Sequence, residues 1–241
     1  MTTTAIAAPT VLRELVAANR ILAREGVLDA FGHVSIRHPE QPDRYCIARS
    51  LGPALVTEDD LQLFTLVGEQ IGGSPLPPYT ERAIHGAIYE ARPDVQAICH
   101  NHSPSVIPFS VTATPLQPIF HMAALLGGAV PRWDIADEFG DTDMLVRTVA
   151  QGRSLARALG ARRVVLMRGH GSAVAGATLR EVVMACVYLE QNARLQAQAL
   201  AFGDVRYLSA GETDRMGAML ADPLGSERAW HVWRERAGIG D

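Results

Sequence analysis

The sequence predicts an α/β fold, on three observations. Stretches with helical spacing alternate with short apolar strands along the chain. Two strands, in VQAIC and VVLM, follow helices and are almost wholly apolar, as strands buried on both faces are. No internal repeat, low-complexity tract or linker divides the 241 residues, so one domain spanning residues 1–241 is expected.

The elements follow in order. From Thr10, the residues Val11, Leu12, Leu15, Val16, Ile21, Leu22 and Val27 form one helical stripe that Gly26 stops. Two strands, His33 to Arg37 and Tyr45 to Ala48, flank a Pro/Asp-rich turn, and a meander continues through LQLFTLVGEQIGG. After the breaker run Gly72 to Pro78, the spacing in YTERAIHGAIYEARPDV predicts a helix with Thr80 as N-cap and Pro93 just past its end. VQAICHNH then carries a strand whose last residues include two histidines. VPRWDIADEFGDTDM reads as loop, and Leu145 to Leu159 as helix. The strand Val164 to Met167 breaks into the Gly-rich turn RGHGS and a further strand, before the long helix LREVVMACVYLEQNARLQAQALAFG. Trp230 and Trp233 have the spacing of one more amphipathic helix.

Composition excludes several function classes. A net charge of −4 without clustered Lys or Arg argues against a nucleic-acid partner. No run approaches the roughly 20 apolar residues of a membrane span, and no secretory leader is recognisable, so a cytoplasmic protein is expected. Cys46, Cys99 and Cys186 are odd in number and widely spaced, which fits reduced thiols rather than disulfides or a thiolate metal site.

Placement of the eight histidines points to chemistry. His100 and His102 stand two apart in a strand, where period-2 alternation puts both imidazoles on one face, as two ligands of one metal require. A third histidine would complete a set with open positions for substrate. His170 in its Gly-flanked turn and His121 are the candidates. His85, one turn after Glu81, suits packing or support; His38 and His231 read as surface groups, and the acidic run Asp134, Asp137, Glu138, Asp141 and Asp143 as a solvated loop.

Glu81 followed by IHGAIYEARPDVQAICHNH, the turn RGHGS and the early segment GHVS together resemble the class II aldolase/adducin family over roughly residues 10 to 210. The resemblance implies a three-layer α/β/α domain with a central, mainly antiparallel sheet. It implies one divalent ion per subunit (Zn, Mn, Fe or Co) held by His100, His102 and His170, with Glu81 as proton-transfer residue or extra ligand. It also implies a homotetramer with active sites at subunit interfaces, over which Tyr207 and the tail with Trp230, His231 and Trp233 would pack from a neighbouring subunit.

Departures from the sugar-phosphate members narrow the expectation. Where those members carry Gly-Asn, a TPSG-like turn and a Ser pair, this chain has Gly32-His33, ARSLGP and Tyr79-Thr80. The phosphate cradle is replaced by bulkier groups. Arg49, with Ser50, suits a carboxylate, and His33 and Tyr79 suit a flat ring. ARSLGPALVTEDD, ICHNHSPSVIPFSVT, PIFHMAALLG and WDIADEFGDTDML are similar to a decarboxylase subgroup acting on hydroxylated aromatic or pyridine dicarboxylates and carboxylated muconic semialdehydes. That implies a carboxylated small-molecule substrate, bound by Gly32, His33, Arg49 and Ser50. Glu81, His121 or Tyr79 would protonate the carbon that loses CO2. The alternatives are an aldolase or epimerase acting on a non-phosphorylated sugar or hydroxy acid, and a non-catalytic adducin-like module that keeps the fold without the metal.

Overall fold

A computed structural model describes residues 6–240. The chain opens with helix α1 (Pro9–Arg24), then the strands β1 (His33–Arg37), β2 (Arg44–Ala48), β3 (Leu61–Thr65) and β4 (Gln70–Gly73). Helix α2 (Arg82–Ala91), strand β5 (Ala97–Asn101), helix α3 (Ile107–Val111), strand β6 (Arg132–Trp133) and helix α4 (Ala136–Phe139) follow. Helix α5 (Val149–Leu159), strands β7 (Val164–Met167) and β8 (Gly171–Gly176), and helices α6 (Leu179–Phe202), α7 (Ala210–Leu220) and α8 (Pro223–Arg236) complete the fold.

The strands form one sheet in the order β4-β3-β2-β1-β5-β8-β7-β6. Every described pairing is antiparallel except the edge pair β6 and β7. Helices α1, α6 and α8 pack together on one face, with α1 against β1 and α6 against β5 and β8; α2 and α5 pack together on the other. This is the expected three-layer arrangement with a mainly antiparallel sheet.

Strand alternation sorts polar from apolar groups between the layers. On β1, His33, Ser35 and Arg37 meet α2 through His85 and Tyr89. On β5, Cys99 lies against Cys186 of α6, while His100 turns to the opposite face beside His33, its cross-strand partner. Ile98 and Val174 on the central strands are fully buried, each contributing about 1.5–3 kcal/mol of apolar burial.

Several local expectations are corrected. Thr80 does not cap α2: Glu81 occupies that position, without a side-chain cap bond. Helix α5 begins at Val149 rather than Leu145, because Thr148 and Gln151 form a capping box there. The segment read as loop holds β6 and α4, and much of its acidic charge is paired: Asp134 with Arg168, Glu138 with Arg157 and Asp143 with Arg147. His38 is buried rather than at the surface, its Nδ1 accepting the amides of Glu40 and Gln41 and closing the β1–β2 turn. Trp230 and Trp233 are buried within their own chain, Trp233 against Tyr188 of α6 and Trp230 beneath Arg180. All three cysteines are unpaired and buried. No helix among the described residues is long and apolar enough to cross a membrane.

Candidate metal centre

Three histidines and one carboxylate converge where β5 ends beside the β7–β8 turn. One ligand atom from each of Glu81, His100, His102 and His170 lies within 4.8 Å of the others. His100 Nε2 stands 3.1 Å from His102 Nε2 and 3.6 Å from Glu81 Oε2, and His170 Nε2 stands 3.5 Å from the same oxygen.

Each side chain arrives by a different local device. His100 is the penultimate residue of β5, and His102 lies just past the strand, so its aim comes from the loop rather than from strand alternation. His170 projects from a turn whose Gly169 adopts a φ of 62°, a left-handed value that glycine takes without strain. Gly171 lets β8 approach β5, since a Cβ there would sit 2.1 Å from the Asn101 carbonyl oxygen. Glu81 stands at the α2 N-terminus, its Oε1 accepting the Val146 amide at 2.9 Å.

The second nitrogen of every imidazole is tied to an oxygen. His100 Nδ1 meets the Ser172 carbonyl at 3.1 Å, His170 Nδ1 the Met144 carbonyl at 3.1 Å, and His102 Nδ1 the Asp29 carboxylate at 3.0 Å. A carbonyl oxygen can only accept, so Nδ1 of His100 and His170 carries the hydrogen. In the neutral rings the Nε2 lone pairs therefore face the cluster, the arrangement by which supporting groups aim imidazole ligands. Met144 holds its carbonyl with a φ of 66°, rare outside glycine and a mark of local strain. Asp29 also accepts the amides of Phe31 and Gly32, clamping the loop before β1. This donor set fits a divalent transition ion held by three imidazoles beside a carboxylate.

Electrostatics favour neutral imidazoles and an ionised carboxylate. Burial pushes His100 below its ordinary value, against the opposing pull of Glu81. Burial alone would raise Glu81, but its contacts with His100 and His170 outweigh that and hold it well below the usual carboxylate range. Burial also pushes His33 well down, with the neighbouring His85 and His100 adding to the effect.

A cleft of about 350 Å³ opens beside the cluster, lined in part by Phe31, His33, Ser50, Tyr79, Glu81 and His102. The structure thus places His33, Ser50, Tyr79 and Glu81 at the cleft. His33 and Tyr79 form a ring pair with centroids 4.5 Å apart, and Phe31 stands at the rim, 72% exposed.

Four expectations change. Arg49 is absent from the cleft lining, and its Nε donates to Asp60 at 2.6 Å. Gly32 serves packing, since a Cβ there would meet Leu28 Cδ2 at 2.6 Å and the His100 carbonyl oxygen at 3.1 Å. Tyr79 offers its ring but not its proton: the hydroxyl donates to the Leu51 carbonyl, and burial pushes the phenol up to about 12. His121 opens a short 3-10 turn facing a different groove, with Met122, Tyr188 and Trp233, and joins neither cluster nor cleft of its own chain. Sequence reasoning missed Asp29, whose place three residues before Gly32 is a turn signal. It also missed the Met144 and Ser172 carbonyls, which no side-chain pattern announces.

Comparison with known proteins accords with this geometry. The model of the Class II Aldolase and Adducin N-terminal domain matches residues 13–197. The decarboxylase tropJ of Talaromyces stipitatus is 34% identical over 202 residues, covering 78% of this chain and 76% of that protein. The 3,4-dihydroxyphthalate decarboxylase of Arthrobacter keyseri is 29% identical over 209 residues, 79% of each. Among solved structures, L-fuculose 1-phosphate aldolase from Glaciozyma antarctica superposes with a TM-score of 0.79 at 27% identity, over 95% of this chain and 90% of that one. These relatives support a lyase of decarboxylase or aldolase type. By its residues, its sheet and its histidine cluster, the chain belongs to the class II aldolase and adducin family.

Proposed function

We propose that the chain is a divalent-metal-dependent decarboxylase. It removes one carboxylate as CO2 from a hydroxylated aromatic dicarboxylate, of phthalate or pyridine type, or from a related ring-cleavage product. One observation carries the reading: a cluster of three oriented imidazoles and Glu81 opens onto a cleft walled by the flat rings of His33 and Tyr79. The decarboxylases among the relatives, one acting on 3,4-dihydroxyphthalate, support it.

His100, His102 and His170 would hold the ion, with Glu81 beside it. When bound, a divalent ion supplies Lewis-acid stabilisation of the charge that carbon–carbon scission leaves on substrate oxygen, a demand shared by decarboxylation and aldol cleavage. The chain's own groups do the rest. His33 and Tyr79 orient a planar ring and exclude water from its faces, and the Ser50 hydroxyl hydrogen-bonds the retained carboxylate. Glu81, ionised at rest, takes up a proton from water and passes it to the ring carbon after CO2 departs, being the carboxyl group that lines the cleft within the cluster. The buried, unpaired thiols support a cytoplasmic setting. Assembly as a homotetramer with sites at subunit interfaces completes the reading; sedimentation velocity is expected to show four chains, and a monomer would exclude it.

The reaction is tested by CO2 release from 3,4-dihydroxyphthalate and hydroxypyridine dicarboxylates, with Mn²⁺, Fe²⁺, Co²⁺ or Zn²⁺ supplied and the bound ion quantified. CO2 evolution with about one ion per chain is expected. Aldol cleavage of a non-phosphorylated hydroxy acid, with no CO2 from any dicarboxylate, would establish the aldolase reading instead. Absence of a bound ion would exclude both.

A further inference from the structure

Four side chains form a hydrogen-bonded line that metal holding does not require. His33 Nδ1 lies 2.7 Å from His85 Nε2, and His85 Nδ1 lies 2.6 Å from Ser35 Oγ. Ser35 Oγ lies 2.9 Å from the Tyr89 hydroxyl. All four residues are buried, and His33 alone borders the cleft.

Each link can run in either direction, and the far end decides which. Among the described residues, the Tyr89 hydroxyl meets only Ser35, and the Ser35 hydroxyl meets only Tyr89 and His85. Were Tyr89 to accept from Ser35, its own hydrogen would be buried without an acceptor. Were Ser35 to accept from both neighbours, its hydrogen would be stranded in the same way. Buried donors are seldom left so. One direction gives both hydroxyl hydrogens a partner: Tyr89 donates to Ser35, and Ser35 donates to His85 Nδ1. A neutral His85 then carries its hydrogen on Nε2 and donates it to His33 Nδ1. His33 in turn must carry its own hydrogen on Nε2, the ring nitrogen not tied back into the protein.

We infer that His33 presents a fixed Nε2–H donor to the cleft, where it hydrogen-bonds an anionic oxygen of a substrate carboxylate. His85, Ser35 and Tyr89 are positioning residues that hold His33 in that tautomer. The inference rests on the cleft's being the substrate site proposed above, and deepens it. A site with a fixed donor accepts a carboxylate and rejects an analogue that offers only donors there, because the His33 N–H would then face another hydrogen.

The test uses the full-length chain, labelled with 15N-histidine and supplied with diamagnetic Zn²⁺. Long-range 1H–15N correlation reads which nitrogen of each ring is protonated, with peaks assigned by their loss in His33→Gln and His85→Gln. Both residues are expected to show a protonated Nε2 and a bare Nδ1; the opposite tautomer, or an imidazolium, at His33 overturns the inference. Ser35→Ala is expected to leave His33 in mixed tautomers, and a His33 tautomer that stays fixed overturns the positioning role.

Phthalate, a dicarboxylate without the ring hydroxyls, then probes binding. It is expected to shift the His33 Nε2–H resonance and to bind at least tenfold more weakly to His33→Leu. Binding should recover toward wild type in His33→Gln, which keeps an N–H donor. Equal affinity of wild type and His33→Leu overturns the donor role. Turnover of 3,4-dihydroxyphthalate, measured in parallel, separates the two readings. Turnover with the wrong tautomer sinks this inference alone, whereas phthalate binding through His33 with no CO2 released from 3,4-dihydroxyphthalate or from any of the hydroxypyridine dicarboxylates sinks the decarboxylase reading and leaves the donor standing.

Discussion

The imidazoles at the centre are aimed by oxygens that hold their other nitrogen. Among these, Asp29 is the one side chain, 3.0 Å from His102 Nδ1. Asp29→Ala is expected to weaken metal affinity by about 10–100-fold, read by competition against a chromophoric chelator, with the fold retained by circular dichroism. Undiminished affinity would show that His102 is aimed by the loop alone. Arg49 belongs to a different ledger. Its pairing with Asp60, both side chains mostly buried, predicts that Arg49→Ala lowers stability by about 1–2 kcal/mol and leaves KM for carboxylated substrates unchanged. A tenfold rise in KM with unchanged stability would restore it as a substrate anchor. At this scale residue type and spacing pointed to His100 and His102 and left His170 and His121 as candidates for a third; the family resemblance added Glu81 and chose His170. Asp29 and the Met144 and Ser172 carbonyls were hidden, because a supporting hydrogen bond depends on backbone path rather than residue type. His85 read as packing or support on its helix; its hydrogen bonds to His33 and Ser35 are what the sequence left out.

Among the elements, the strands were the most legible. β1 falls where the hairpin signal around a Pro/Asp-rich turn predicts it and β7 where an apolar run does, because turn chemistry and burial act locally. Helix starts were less legible: the segment before α5 is held open by Glu81, 65 positions away, which binds the Val146 amide. The face between α2 and α5 matters to the site because α2 carries Glu81 at its start and His85 within it. There, a Cβ on Gly152 would meet the Ala83 carbonyl oxygen at 2.5 Å and the Ala87 Cβ at 2.9 Å. Gly152→Val is therefore expected to force the helices apart and cost about 1–3 kcal/mol, seen as a lower midpoint in urea denaturation. An unchanged midpoint would mean that α5 shifts freely and does not brace α2.

Across the whole molecule, the sheet brings β1 and β5 side by side, so that residues 33 and 100 become cross-strand partners. It also seals His85 in the core, where burial first, and then the nearby His100, push it from its ordinary 6.5 down to about 3. The folded state keeps His85 neutral, whereas the unfolded chain takes up a proton below about pH 6.5. The stability it contributes is thus fully present above pH 6.5 and is lost as pH falls toward 3, at about 1.4 kcal/mol per pH unit. In chelator-treated protein, wild type is expected to lose about 2 kcal/mol more than His85→Gln between pH 7 and pH 5, measured by denaturant unfolding. Equal losses would place that proton elsewhere. The sequence by itself determined the α/β class, most strand positions and the His100–His102 pair, because hydrophobic period and ligand spacing are local properties, while Glu81 and His170 were read from its resemblance to a family. Only the tertiary structure decided that His121 faces another groove of its own chain, that Arg49 pairs with Asp60 and that Tyr79 gives its hydroxyl to a carbonyl. It alone set a buried line of hydroxyls and imidazoles behind His33, because hydrogen-bond direction and burial depend on which distant segments the sheet sets side by side.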